Sequence, residues 1–130
     1  MENIEMMYQE QILDHYKNPR NFGNIDNASV HHHEKNPLCG DELDLYLAIK
    51  NNKIVDVKIQ AHGCAISTAS ASMLTEQIKW KNIEELKKMS KENILEMLGI
   101  PISAARLKCA LLSLDTLKNS ILIYEKYMNN

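Results

Sequence analysis

Two runs of strict alternation, joined by a few polar residues, restrict this chain more than any other feature. In DELDLYLAIK (41–50), Leu43, Leu45, Leu47 and Ile49 alternate with more polar or small neighbours. In IVDVKIQA (54–61), Val55, Val57, Ile59 and Ala61 alternate with Asp56, Lys58 and Gln60. Period two in both, across KNNK, predicts a β-hairpin with one buried face. Residues directly opposite in a hairpin share a side of the sheet. A two-residue Asn51-Asn52 turn with regular pairing would oppose Leu47 to Asp56 and Leu45 to Lys58, placing charge in the core. A three-residue loop, Asn51 to Lys53, opposes Ile49 to Val55, Leu47 to Val57, Leu45 to Ile59 and Leu43 to Ala61. All four pairs are then apolar, and this register is the expected one.

Continued to its open end, that register sets Asp41 opposite Gly63 and Cys39 near Cys64. Cys39 lies in NPLCGD (36–41), where no second cysteine stands at the usual two-residue spacing. Gly63 allows a sharp turn, and Cys64 then begins AISTASASMLTEQIKW (65–80), a helix candidate whose small residues permit close packing. A thiol at a helix start is favoured as thiolate, the form that binds metal and attacks sulfur. Asp41, two residues after Cys39, shares its face in extended chain, although an Asp after Gly also serves to cap a turn.

Elsewhere the pattern is helical. Residues 4–17 carry a loose apolar stripe that Asn18-Pro19 ends. ASVHHHE (28–34) is a weak strand candidate; in a strand only His31 and His33 share a face, and a solvated edge is the ordinary reading of such a trio. Two short helices follow in NIEELKKMS and KENILEMLG, the second closed by Gly99. Residues 103–128 form a long amphipathic helix, with Leu107, Leu114, Ile121 and Met128 at heptad spacing, that packs on the sheet. Cys109 falls off that stripe, so it does not simply fill the core, and Arg106 three residues earlier would support a thiolate. An inert buried thiol is the alternative reading for each cysteine.

At 130 residues the chain is long enough for one domain, 1–130, with its own core. A formal charge of −2 with mixed signs gives no basic face for nucleic acid. Its start reads as no signal peptide, and no apolar run reaches membrane-spanning length. The expected location is cytoplasmic, where three cysteines do not form a disulfide framework. Three thiolates and one carboxylate suit zinc, or iron with sulfide, in a tetrahedral site. A hard oxygen among soft sulfurs makes a weaker clasp than four thiolates, fitting a cargo that must be released.

HYKNPRNFGNID (15–26), NPLCGDELDL (36–45), GCAISTASASMLTE (63–76) and RLKCALLSLDTL (106–117) closely resemble the IscU/SufU/NifU N-terminal family of iron–sulfur cluster assembly scaffolds. The resemblance covers nearly the whole chain. It implies an α+β fold, a small three-stranded antiparallel sheet covered by helices, with a long C-terminal helix. It implies that Cys39, Asp41, Cys64 and Cys109 surround an iron–sulfur cluster, 2Fe–2S or 4Fe–4S, or a zinc ion. The implied partners are a cysteine desulfurase, an iron donor and apo iron–sulfur proteins. Such a protein is a carrier rather than an enzyme with turnover of its own. The implied alternative is a zinc-dependent sulfurtransferase in which Cys109 is the sulfur acceptor; a third reading is a purely structural zinc domain. Lys108 stands where IscU-type proteins carry His, which looks like the SufU type. Cys64 and Cys109 stand 45 residues apart, a spacing that resembles IscU. IPISAARLK (100–108) replaces the IscU-type Leu-Pro-Pro-Val-Lys stretch, so recognition by an Hsp70-type chaperone does not follow from the resemblance.

Overall fold

A computed structural model describes residues 4–128. Residues 1–3 and 129–130, which belong to the expected 1–130 domain, lie outside the described residues. The elements run α1 (Ile4–Lys17), β1 (Val30–Lys35), β2 (Glu42–Lys50), β3 (Lys53–His62), α2 (Ala65–Ile78), α3 (Ile83–Leu86), α4 (Lys91–Leu98) and α5 (Ala104–Met128). The three strands form one antiparallel sheet in the order β1-β2-β3. Burial in β2 alternates as its sequence does: Leu43, Leu45, Leu47 and Ile49 are inside and the residues between them are not. The expected α+β class and the weakly signalled first strand are both present. Among the described residues no helix is long and apolar enough to cross a membrane.

The hairpin departs from expectation at its turn. Leu43↔Ala61, Leu45↔Ile59 and Leu47↔Val57 pair as predicted, but Ile49 faces Ile54, not Val55, and Lys50 faces Lys53. The turn is the two-residue Asn51-Asn52, both left-handed with φ of 51° and 62°. Asparagine tolerates that conformation, and two successive left-handed residues match the twist of paired strands. An irregularity between Ala48 and Ile49 restores the register, so the tight turn and the all-apolar face coexist. Ile54 is consequently buried where Val55 was expected. Its backbone does not go unpaired, since Ile54 N–H donates to Lys81 O and Ile54 O accepts from Trp80 N–H. Further along the same edge, Gly23 N–H donates to Ile59 O and Ile59 N–H to Asn21 O. The outer edge of β3 is thereby paired at Ile54 and Ile59, which limits the free edge open to another strand. The hook at Trp80, with φ of 72°, also explains why α2 stops at Ile78 rather than continuing to residue 80.

α2 packs on β3, α5 packs on β1 and β2, and α1 and α4 lie against α2. The core joins Leu45, Leu47, Val57 and Ile59 of the sheet to Leu74 and Ile78 of α2 and to Leu114, Leu117 and Ile121 of α5. The heptad stripe of α5 holds only in its middle: Leu107 is half-buried and Met128 exposed, so the helix packs on the sheet and overhangs it. Small residues bring α2 and α5 close. Ser70, fully buried, donates to Ala110 O at 2.8 Å and lies 2.9 Å from Ser113 Oγ. This contact sets the height of Cys109 relative to Cys64. The loop after α1 is fixed with equal economy, as Ser72 Oγ accepts from Arg20 N–H at 2.8 Å and lies 2.7 Å from His15 Nδ1, and Asn21 donates to Thr75 Oγ1.

A thiol and carboxylate site between hairpin and helices

The open end of the hairpin carries a short closed loop. Asn36 N–H donates to Asp41 O and Gly40 N–H to Asn36 O, both at 2.7 Å, while the buried Asn36 side chain accepts from Leu38 N–H. Gly40, at φ of 77°, completes a turn that a side chain would strain. The loop is pinned at its base and holds Cys39 at its exposed tip. Two residues on, Asp41 is only 4% exposed and points inward.

Asp41 is the hub of the site. Its Oδ1 accepts from Cys64 N–H at 3.2 Å, and Cys64 Sγ lies 3.6 Å from its Oδ2. The polar side chains of Cys39, Cys109 and Ser67 stand around it and favour its charged form. Burial opposes the charge of Asp41, but these groups outweigh it and hold the carboxyl below its usual range. Gly63 makes the approach feasible. A methyl group there would stand 2.6 Å from both Asp41 Oδ1 and Ser67 Oγ.

Cys109 reaches the site from α5. Its Sγ lies 3.4 Å from Cys39 Sγ, and donor atoms of Cys39, Asp41 and Cys109 all lie within 4.8 Å of one another. Cys109 is buried yet stands apart from the apolar cluster that holds its neighbour Ala110. Its thiol is pushed strongly upward, first by burial, then by hydrogen bonding to Asp41 and Cys39 and by Cys64. This corrects the expected thiolate support from Arg106, which is solvent-exposed while the groups acting on Cys109 are burial and its site neighbours. In the resting site Asp41 holds the charge and Cys109 holds its proton.

All four predicted residues therefore gather at one place, with a difference in pairing. Cys39 contacts Cys109 across 70 residues of chain, whereas Cys64 turns its thiol to Asp41 and lies outside the compact group of three. Cys64 is the N-cap of α2 without making a side-chain cap, which leaves its sulfur for the site. Ser67 was missed by sequence reasoning. It occupies the third position of α2, and its hydroxyl donates back to Cys64 O at 3.2 Å. Two or three thiolates with one carboxylate match the donors that hold zinc or an iron–sulfur cluster, and the site opens to solvent at Cys39.

A sheet of three antiparallel strands backed by helices, with thiols from two loops and a helix converging on one aspartate, defines an α+β domain with a candidate metal centre. The chain belongs to the NifU-like N-terminal domain family, whose model matches residues 7–130. It is 39% identical to the iron-sulfur cluster assembly scaffold protein IscU 1 of Archaeoglobus fulgidus over 91% of this chain and 76% of that protein. It is 37% identical to the zinc-dependent sulfurtransferase SufU of Bacillus subtilis over 92% of each chain. A crystal structure of a putative iron-sulfur cluster assembly scaffold protein for the SUF system from Fervidobacterium islandicum superposes with a TM-score of 0.78. It is 34% identical and covers 92% of this chain and 99% of that one.

Proposed function

We propose that this chain is a scaffold for iron–sulfur cluster assembly: it accepts sulfur from a cysteine desulfurase, combines it with iron from a donor, and passes the cluster to apo-proteins. The carrying observation is the convergence of Cys39, Asp41 and Cys109 donor atoms within 4.8 Å, with Cys64 on the same carboxylate. Cys39, Asp41, Cys64 and Cys109 would hold the cluster as cargo, in 2Fe–2S or 4Fe–4S form. The exposed Cys39 tip gives a route of entry and exit, and the aspartate oxygen is the ligand most readily exchanged. Anaerobic reconstitution with ferrous iron, cysteine and a desulfurase tests this. Cluster absorption is expected for the natural sequence, with its yield reduced in Cys39→Ala, Cys64→Ala and Cys109→Ala. An undiminished yield in Cys39→Ala refutes the assignment.

A second reading is a zinc-dependent sulfurtransferase, favoured by Lys108 before the third cysteine and by the similarity to SufU. In it Cys109, as thiolate, attacks the outer sulfur of a desulfurase persulfide. A new S–S bond forms on Cys109, the old one breaks, and the desulfurase cysteine leaves as thiolate. Burial and its site neighbours favour the protonated form of Cys109 in this structure; Cys39, Asp41, Cys64 and Cys109 would hold the zinc, whose charge would favour the thiolate. Persulfide mass on Cys109 and desulfurase stimulation that depends on zinc are its signatures; zinc-independent cluster formation without stimulation leaves the scaffold reading alone.

A further inference from the structure

On the solvent face of the sheet, His31 and His33 of β1 stand opposite Tyr46 and Asp44 of β2. His31 Nε2 lies 2.8 Å from Asp44 Oδ1, and His33 Nδ1 lies 3.2 Å from Asp44 Oδ2. His33 Nε2 lies 3.2 Å from Glu42 Oε1. His33 thus meets a carboxylate oxygen at each ring nitrogen. A carboxylate only accepts, and a neutral imidazole has one N–H, so its other nitrogen directs a lone pair at an anion. A cation between nitrogen and oxygen, either a proton or a metal ion, removes that conflict.

We propose that His31, His33 and Asp44, with Glu42 as a further carboxylate, form a second metal site, for a first-row divalent cation, on the face of the sheet opposite the thiols. Imidazole nitrogen and carboxylate oxygen both bind such ions at about 2.0–2.2 Å, which puts neighbouring donors on one ion about 3 Å apart. The observed separations of 2.8 and 3.2 Å already have that size. Asp44 offers a different oxygen to each imidazole, and both histidine side chains are nearly half exposed, at 46% and 45%. An ion held by Asp44 would draw the two rings, which now meet separate oxygens of that carboxylate, toward one another. Tyr46 stacks on His31 with centroids 4.0 Å apart and steadies its plane. In the strand register Glu42 is flanked by Lys35 of β1 and His62 of β3, and Tyr46 by Lys58. Two nitrogens and two carboxylates are a harder donor set than the thiol pocket, suited to ferrous iron, cobalt, nickel or zinc. The pleat sends Asp41 inward and the next residue, Glu42, outward, so the two sites lie back to back at the end of β2.

Calorimetric titration of zinc into the chain carrying Cys39→Ser, Cys64→Ser and Cys109→Ser tests this independently of the thiol site. One equivalent is expected to bind, at least tenfold more weakly after His31→Ala or His33→Ala. No binding by the thiol-free chain, or binding indifferent to both histidine changes, overturns the proposal. Should that chain not fold, nuclear magnetic resonance of the natural sequence with two equivalents of zinc gives the same decision. Shifted His31 and His33 ring signals support the site and unmoved ones refute it. Failure of the thiol pocket to hold metal would remove the other equivalent and leave these signals in place.

Discussion

The Sγ atoms of Cys39 and Cys109 lie 3.4 Å apart, one at an exposed loop tip and the other buried on a helix. The hydrogen-bond partners of Cys64 Sγ are instead Asp41 and Ser67. A mild oxidant such as diamide, which takes up the two thiol hydrogens, is therefore expected to link Cys39 to Cys109 ahead of any bond to Cys64. Peptide mapping after alkylation reads the pairing, and prior loading with zinc should block it.

Gly63→Ala sets a methyl group against Asp41 and Ser67 where no room exists. The expected loss of stability is about 1–3 kcal/mol, the range of core overpacking. Because the displaced atoms are the hub and its buttress, metal affinity should fall more than stability does. Parallel thermal unfolding and zinc titration separate the two effects.

Stripping the metal should not unfold the chain. The apolar cluster from Leu45 to Ile121 closes without any of the three cysteines. Chelator-treated protein is expected to keep its helical circular dichroism and to melt cooperatively, unlike a domain that zinc alone holds together. Loss of cooperative melting on chelation would favour the structural-zinc reading.

His15 is held neutral by burial first and by Arg20 next, against the pull of Glu76 and Asp14, so its folded pKa lies below the unfolded value. Above about pH 6.5 both states are neutral and the shift contributes nothing. As pH falls through that value the unfolded chain takes up the proton more readily, and stability declines until the folded pKa is passed. Melting temperature between pH 8 and pH 5 should drop more steeply for the natural sequence than for His15→Gln, which also starts lower for want of its Ser72 contact.

Asn51 and Asn52 form the left-handed turn of the hairpin. Asn52→Gly should leave stability unchanged or raise it by about 0.5 kcal/mol, and Asn52→Val should cost about 1–2 kcal/mol, the penalty of that conformation for an ordinary residue. Chemical denaturation resolves both.

Much of this was legible in the residues. Alternation in 41–50 and 54–61 specified the buried face, and Asn18-Pro19 and Gly99 marked helix ends where they occur. The turn was not legible, because alternation reports which side chains are inside and says nothing of a bulge that lets a shorter turn serve the same face. Ile54 stood outside the inward set of Val55, Val57, Ile59 and Ala61 and became core for that reason. That Cys39, Asp41, Cys64 and Cys109 come together was readable, but how they pair was not. Hairpin register carried Cys39 toward Cys64, yet α5, held beside α2 by Ser70 on Ala110, brings Cys109 to Cys39. The histidine trio looked idle because its carboxylate neighbours stand on another strand, at positions that only the register of β1 on β2 reveals.

The proton on Cys109 has a cost for any occupant of the pocket. Asp41 is negative, and the thiol beside it keeps its hydrogen for as long as no stronger positive centre arrives. Loading must therefore expel acid into the medium, and a weakly buffered solution should turn measurably sour with each ion taken up. Acidification is expected to drive the same exchange backwards and to loosen the hold of Asp41 and its sulfurs on any ion they have gathered.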